Sequence, residues 1–305
     1  IRLRGRIETK LNGAHEYGRL NGGLGATLSL RPDSRKPTTA FAGVSRSSRT
    51  PTPVELTCAD PDDPCRLPNA FVADPPLHEV VTSGLEAGLR GRWNQGSWSA
   101  SYFDSKNEND ILFVSSGRLT NAGYFTNVDS TRRQGLEISL RGRNGLHSWF
   151  LSYTWVDASF GSALVLPSAN HPLAIDGEIE VKDGDAIPGI PSHVGKAGLS
   201  LRFGRWTAVA STTAQSSRYL RGDEANLLKP VSGFLTADAE LSWTARSWIR
   251  IALAADNLFG HEYETFGVLG DPQQVLGDDF SNPRFLSPGA PRSVRLSVDL
   301  SPFDR

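Results

Sequence analysis

FLTADAELSWTARSWIRIALAADNL, residues 234–258, alternates apolar and polar side chains over two predicted strands. Apolar residues occupy every second position of the first strand, namely Leu235, Ala237, Ala239, Leu241 and Trp243. After residues 244–247 the alternation resumes with Ile249, Ile251 and Leu253. A period of two predicts a β-hairpin with one apolar and one polar face. In a soluble sandwich the apolar face would pack on a second sheet, whereas in a membrane barrel it would face lipid.

Length, charge and hydrophobic runs argue against several classes of protein. The chain has 305 residues and a formal net charge of −1, which argues against nucleic acid as a partner because nucleic acid binding requires a basic surface. Apolar runs such as residues 251–255 are too short for a spanning helix. The chain contains no Met, and residues 1–7 already alternate like a strand, so we expect a fragment that begins inside a fold.

The same alternation recurs along the whole chain and predicts about twelve strands. Their approximate bounds are residues 2–10, 22–31, 38–46, 79–92, 97–113, 127–142, 147–158, 193–203 and 205–219, the two strands within 234–258, and a closing strand over 294–300. Long and short connections alternate, as in an up-and-down antiparallel barrel with turns on one side of a membrane and loops on the other. A Greek-key sandwich lacks this rhythm. We therefore predict an all-β transmembrane barrel, with residues 1–305 as a single domain.

The tryptophans favour lipid over a second sheet. Six of the seven lie beside the predicted short turns: Trp93, Trp98, Trp149, Trp206, Trp243 and Trp248. Trp prefers the interface between lipid and water, where its ring is half buried and its N–H reaches water. If the short turns share one side of the membrane, these six form an interfacial girdle. Core tryptophans, the alternative, would instead be spread along the strands.

The two cysteines, Cys58 and Cys65, lie in a loop rich in Pro and Asp. Their spacing, without a neighbouring His or Cys, makes a poor metal site. We expect a small disulfide-closed loop, as suits an oxidising compartment, with two unrelated free thiols as the alternative.

No motif in the chain predicts catalysis, a cofactor or a metal. The sequence lacks G-x-S-x-G, H-E-x-x-H and a phosphate-binding glycine loop, so we expect no catalytic residues. The six histidines are dispersed. The acidic residues within 176–185 lack the spacing of an EF-hand, which favours a solvated loop over a Ca²⁺ site. The Arg221-Gly222-Asp223 tripeptide is interpreted as a chance match to an adhesion motif.

Several segments resemble one family. They are residues 256–259 (DNLF) with Tyr263 and Phe266-Gly267, residues 288–292 (PGAPR), residues 49–56 (RTPTPVEL), residues 67–69 and 74–77 (LPN and DPPL), residues 85–88 (LEAG), residues 127–137 and residues 187–191 (IPGIP). Their order and spacing resemble those of TonB-dependent outer-membrane receptors over nearly the whole chain.

This resemblance implies a 22-stranded barrel that contains an N-terminal plug domain and sits in the bacterial outer membrane. It implies uptake of an iron–siderophore complex, cobalamin or a similar scarce ligand, with energy passed from TonB. The chain would supply about the last twelve strands, and the plug and the TonB-contacting segment (TonB box) would lie outside it. The family usually ends on an aromatic residue, whereas here Phe303 is followed by Asp304 and Arg305. A passive porin-type channel and a soluble all-β binding domain are the alternatives.

If the resemblance holds, a ligand site is expected on the long-loop side, because binding residues commonly lie on loops held by a rigid scaffold. The predicted ligand contacts are the loop aromatics Phe71, Tyr124, Phe125, Tyr219, Tyr263, Phe266, Phe280 and Phe285. Each of them fits equally well in an upper aromatic belt or in packing within the loops.

The polar face of the strands carries charges of both signs. They are Glu86, Arg90, Glu137, Arg141, Lys196, Arg202, Asp238, Glu240, Arg250, Asp256, Arg295 and Asp299. We expect these side chains to face the lumen and to pair with one another, with water and with the plug, because buried charges persist only when paired.

Overall fold

The computed structural model describes residues 15–31, 36–59, 77–115 and 123–301. The strands are β1 (Gly22–Arg31), β2 (Thr38–Arg49), β3 (Val80–Trp93), β4 (Gly96–Ser115), β5 (Gly123–Asn144), β6 (His147–Phe160), β7 (Leu164–Pro167), β8 (Glu178–Val181), β9 (His193–Phe203), β10 (Trp206–Gln215), β11 (Phe234–Arg246), β12 (Ile249–Asp256), β13 (Glu264–Leu269), β14 (Arg284–Pro288) and β15 (Ser293–Leu300). Two short helices are α1 (Pro53–Leu56) and α2 (Pro272–Leu276). No helix in these ranges is long and apolar enough to cross a bilayer.

Eleven of the strands form one antiparallel sheet in the order β1-β2-β3-β4-β5-β6-β9-β10-β11-β12-β15. Each strand pairs with its neighbours along the chain once the two loop hairpins are left out, which confirms the predicted all-β, up-and-down topology. Within the described residues β1 and β15 are the two edges of this sheet and do not pair with each other. The first predicted strand, residues 2–10, lies outside the described residues.

The sheet has one apolar face, as the alternation predicted. The register places Leu241 opposite Leu253 and Leu253 opposite Leu296, so the three leucines lie in one row on one face. They are 43%, 50% and 70% exposed, so no second layer of the described protein covers them. We call this the outer face and the opposite one the inner face. A sheet with such a bare apolar face is suited to lipid.

The six tryptophans lie beside the short turns and partly contact one another. Trp93 stacks on Trp149 with ring centroids 6.2 Å apart, and Trp206 stacks on its cross-strand partner Trp243 at 6.0 Å. Trp206 and Trp243 share the outer face with Leu241. This is the placement that an interfacial girdle requires, and the depth of the rings in a bilayer stays a prediction.

Aromatic rings cover glycines on neighbouring strands. On the inner face, the register sets Phe41 opposite Gly88, Phe103 opposite Gly135 and Phe150 opposite Gly198. On the outer face it sets Trp98 opposite Gly91 and Trp149 opposite Gly142. A Cβ at any of these glycines would meet a ring atom at 2.2–2.7 Å. Because a shift of register would move each ring off its glycine, these pairs help to fix the strand pairing.

The family-like segments at residues 256–259 and 288–292 are joined by one buried side chain. Asn257 has a left-handed backbone (φ 47°) and is only 4% exposed. Its side chain donates to the carbonyl oxygens of His261 (2.8 Å) and Ala290 (3.1 Å) and accepts from the His261 N–H (3.0 Å). Asn257 therefore brings the two ends of the connection between β12 and β15 together at the mouth of the sheet.

Replacing Gly135 with Ala should destabilise the folded barrel by about 1–3 kcal/mol, because the new Cβ has no room. It would lie 2.3 Å from the Trp155 carbonyl oxygen and 2.7 Å from the Phe103 ring. In the control Gly25→Ala the nearest atom, the Ala42 carbonyl oxygen, is 3.5 Å away. The urea midpoint of each variant is measured by unfolding the full-length protein in detergent, with the gel mobility shift as the readout. Equal midpoints would contradict a packing role for Gly135.

Replacing Leu296 with Arg should lower the free energy of unfolding by about 2–4 kcal/mol if this outer-face side chain lies near the bilayer midplane. Ser297→Arg is the control because the added charge would point to the inner face, one residue further along β15. The folded fraction of each variant in lipid vesicles over a urea series gives the two free energies. A Ser297 variant as damaged as the Leu296 variant would refute the assigned faces.

Candidate functional site

The long connections pack on one another at the end of the sheet opposite the short turns. We call residues 161–192, 216–233 and 257–292 the loop layer. It contains the hairpins β7–β8 and β13–β14, which the sequence did not predict. One apolar cluster joins Phe160, Leu166, Ile179, Val181 and Ala225 to the end of β4, and Leu220, Val231 and Leu269 form a second. These connections are therefore a packed unit on a rigid sheet.

A buried polar pair connects two segments of the loop layer. His171 Nε2 lies 3.0 Å from Asp223 Oδ1, and both side chains are fully buried. Because His171 Nδ1 accepts the Leu173 N–H at 3.1 Å, we assign the ring proton to Nε2, which donates to Asp223. Asp223 also accepts the N–H groups of Leu227 (2.8 Å) and Leu228 (3.1 Å). One carboxylate thus holds residues 171 and 223–228 together.

Arg218 connects the middle segment to the β13–β14 hairpin. Its Nη1 donates to the Thr265 carbonyl oxygen at 2.7 Å, and its guanidinium carbon lies 5.5 Å from the centre of the Phe234 ring. Burial lowers the pKa of the Arg218 guanidinium. Nε and Nη2 are buried without a hydrogen-bond partner among the described residues. The neighbouring Arg221 backbone pairs with Gly267 and Leu269, which reinforces the connection.

A cavity of about 290 Å³ opens in the loop layer. Its wall is largely apolar and includes Phe113, Ile187 and Phe266, with the charged residues Arg221 and Glu224 beside them. Burial raises the pKa of the Glu224 carboxyl, whose Oε1 accepts the Gly222 N–H at 3.0 Å. An apolar cavity with a few converging polar groups is the usual form of a site for a small organic ligand.

The eight predicted ligand residues do not gather at one place. Phe266 alone of the described ones lines this cavity. Phe125 contacts the cavity residue Phe113 edge to face at 5.1 Å, whereas Tyr124 packs on the first apolar cluster. The ring centroids of Tyr263 and Phe234 are 4.3 Å apart. Tyr219, Phe280 and Phe285 lie outside the cavity wall, and Phe71 lies outside the described residues. A ligand role for each stays a prediction.

Phe113, Arg221 and Glu224 are among the cavity residues that sequence reasoning did not identify as ligand contacts. Phe113 was assigned to a strand end, and Arg221 was interpreted as part of a chance tripeptide. The signal was the run of charges at 221–224 in a loop that also holds apolar residues. Only the fold shows that this run turns inward, since Asp223 is fully buried.

The structure describes one of the two cysteines and the acidic loop that the sequence analysis singled out. Cys58 is 2% exposed, and its carbonyl oxygen accepts the Phe125 N–H at 2.6 Å. Cys65 lies outside the described residues, and the disulfide stays a prediction. In the acidic loop, Asp185 accepts the Lys182 N–H at 2.7 Å and closes a turn. Within the described ranges no group of three His, Cys, Asp or Glu side chains could hold a metal ion.

Comparison with known proteins gives one family and one fold. The sequence model of the family described as TonB dependent receptor-like, beta-barrel matches residues 5–258. The structure is similar to the copper transporter OprC (TM-score 0.66, 20% identity), to the ferric yersiniabactin uptake receptor FyuA from Yersinia pestis (0.64, 16%) and to the siderophore receptor PiuA from Acinetobacter baumannii (0.61, 15%). These matches cover 92%, 92% and 90% of this chain but only 39%, 37% and 35% of those chains. No curated protein sequence matches.

Replacing Asp223 with Ala should loosen the loop layer without unfolding the sheet. The change leaves the His171 N–H and two backbone N–H groups buried without an acceptor, and each such unsatisfied group costs about 1–3 kcal/mol. Hydrogen exchange of residues 161–192 and 216–233 in the detergent-solubilised protein should accelerate at least about tenfold. Asp183→Ala, at an exposed position of the same layer, is the control. Unchanged exchange in the Asp223 variant would show that the pair does not hold the layer.

Proposed function

The chain belongs to the TonB-dependent receptor β-barrel family, and on that premise we propose that it is the C-terminal part of the barrel of a receptor that imports an iron–siderophore complex. Members of this family lie in the outer membrane and are receptors and transporters. The comparisons give no support to a passive porin. This chain carries no enzymatic activity of its own in our proposal.

The observation that carries the proposal is the cavity in the loop layer. It combines aromatic and aliphatic walls with one guanidinium and one carboxyl group, at Arg221 and Glu224. A siderophore presents the matching chemistry, because it is an organic molecule with apolar rings or chains and charged metal-binding oxygens. PiuA is described as a siderophore receptor and FyuA as a ferric yersiniabactin uptake receptor, whereas OprC is described as a copper transporter. The largely apolar wall favours an organic chelate over a bare copper ion.

In our proposal the whole receptor also contains the remaining barrel strands, a plug domain and a segment that binds TonB. Residues 1–305 form a single barrel domain, and the remaining strands close the barrel around a plug domain. TonB binds a segment outside residues 1–305 and supplies the energy for uptake. The outer face of the sheet binds outer-membrane lipid, and the loop layer faces the medium from which the ligand arrives.

Phe266→Ala in the full-length receptor should weaken binding of the ferric siderophore about tenfold, which corresponds to ~1.4 kcal/mol. The variant removes an aromatic wall of the cavity, which contributes through apolar contact. Phe259→Ala is the control, because Phe259 is an exposed loop aromatic that lies outside the cavity wall and is not a predicted ligand contact.

The measurement is uptake of radioactive iron by cells whose other siderophore receptors are deleted, with a panel of chelates of known class. Saturable uptake of one chelate, weakened by the Phe266 variant and not by the Phe259 variant, is expected. Saturable uptake of radioactive copper without any iron chelate would refute the siderophore proposal.

A further inference from the structure

The cavity in the loop layer changes in character from its floor to its mouth. Val114, Phe160 and Leu166 line its inner part, which we call the floor, and all three are buried. Phe266 and Arg221 also line it and are exposed, so they mark the part that reaches the surface, its mouth. A ligand group that enters this cavity therefore gives up its water at the floor, while atoms left at the mouth remain within reach of water and of Arg221.

The volume of the cavity, about 290 Å³, limits what it can hold. An apolar cavity of roughly half that volume, ~150 Å³, holds one benzene molecule. Sites that enclose a whole drug-sized ligand span about 300–1,000 Å³. An iron(III) chelate surrounds its metal with several bidentate groups and the chains that join them, so it is at least drug-sized. The cavity thus has room for one arm of such a chelate and not for the whole complex.

Hydrogen bonds fix the wall of the cavity before a ligand arrives. The Asn226 side chain accepts the Ala186 N–H at 2.6 Å and donates to the Ala186 carbonyl oxygen at 3.0 Å, which anchors the wall segment 187–190. Within that segment, the Gly189 N–H donates to the Tyr219 carbonyl oxygen at 3.0 Å. Because widening the cavity would break these bonds, it favours a group that already fits.

The charges at the cavity favour an iron centre outside it. Among the described lining residues the charged ones are Arg221 and Glu224. The floor is apolar, and a charged group taken into such surroundings without a partner is strongly disfavoured. At the mouth, the Arg221 guanidinium can donate forked, charge-assisted hydrogen bonds to the oxygens that bind iron. Burial raises the pKa of the Glu224 carboxyl, which favours its neutral form and reduces its repulsion of an anionic chelate.

We propose that the cavity binds one apolar arm of the ferric siderophore, an aryl ring or a short acyl chain, while the iron and its oxygen ligands stay outside at Arg221. The inference rests on the proposed function, because it requires a ferric siderophore as the ligand. It narrows the substrate to chelates with an apolar group at the end of an arm. A chelate whose periphery is polar throughout would place polar groups at the floor without hydrogen-bond partners.

The test uses pairs of synthetic ferric chelates that differ only at the end of one arm. Each pair shares a metal core of the catecholate, hydroxamate or hydroxycarboxylate class, and its members end in a phenyl or a hydroxymethyl group. Titration calorimetry measures their affinity for the purified full-length receptor in detergent. For the core class that the receptor binds, the phenyl chelate should bind about tenfold more tightly, because only its ring fills the floor.

A third chelate with a three-ring anthracenyl end tests the size limit in the unchanged receptor. It should bind no better than the hydroxymethyl chelate, because its end exceeds the volume of the cavity. Anthracenyl binding as tight as phenyl binding would place the ring outside the cavity and contradict the inference.

Ile187→Trp narrows the cavity, because Ile187 is part of its wall. This variant should bind the phenyl chelate only as well as the parent binds the hydroxymethyl chelate, and unchanged hydroxymethyl binding shows that the variant is folded. The matched control is Ile175→Trp, at an exposed position of the loop layer outside the wall, and it should keep the preference for phenyl. Arg221→Gln should weaken both chelates by the same factor, since both present the same oxygens.

Equal affinity of the phenyl and hydroxymethyl chelates for the parent receptor would overturn the inference and leave a ferric siderophore as the ligand. A preference for phenyl that persists in Ile187→Trp would overturn it as well, because the ring would then bind elsewhere. Binding of no ferric chelate of any class would refute the proposed function itself, and the inference with it.

Discussion

Backbone hydrogen bonding within the sheet is the constraint on which the rest of this structure depends, because hydrocarbon offers no partner to an exposed N–H or C=O group. Nine of the eleven strands in the described sheet satisfy that constraint on both sides by pairing with sequence neighbours once the two loop hairpins are left out, and the edge strands β1 and β15 satisfy it on one side. Pairing of this kind makes alternate side chains point to opposite faces, so one face can be apolar and the other wet. The row Leu241, Leu253, Leu296 on the outer face and the row Arg92, Ser97, Arg141 on the inner face are two results of the same geometry.

The two ends of the sheet solve different problems. At the short-turn end the connections are tight, the tryptophans are concentrated, and the inner face carries arginines that form no ion pair with the carboxylates the structure describes. At the other end long connections would be costly to order without a core of their own, and they obtain one from the apolar clusters and from buried polar contacts. Asp223 is the clearest case, since a single carboxylate satisfies one imidazole and two backbone N–H groups. A preformed loop layer of this kind can hold a cavity in a fixed shape, which favours ligand binding.

The sequence predicted the sheet far better than the loops. All eleven described strands of the sheet were anticipated, with β4 and β5 extending further toward the loops than expected. Alternation is a local signal, repeated in every strand, and needs no knowledge of distant residues. The loop hairpins and the cavity lack such a signal. Phe266 was identified because it is aromatic, but Glu224 and Arg221 lie beside it only through pairing of residues 216–233 with β13, which depends on contacts between segments more than 40 residues apart.

The amino-acid sequence by itself determined the period-two strands, their order, the faces they present and the family to which the chain belongs, because each of these follows from patterns within a few residues or from motifs in fixed order. Only the tertiary structure decided which charges find partners. Arg250 pairs with Glu240 and Asp299, whereas Arg141 donates to Ser97, and neither Arg141 nor Arg92 pairs with a carboxylate within the described ranges. Pairing depends on which strands are neighbours and on their register, and these are settled when the sheet assembles.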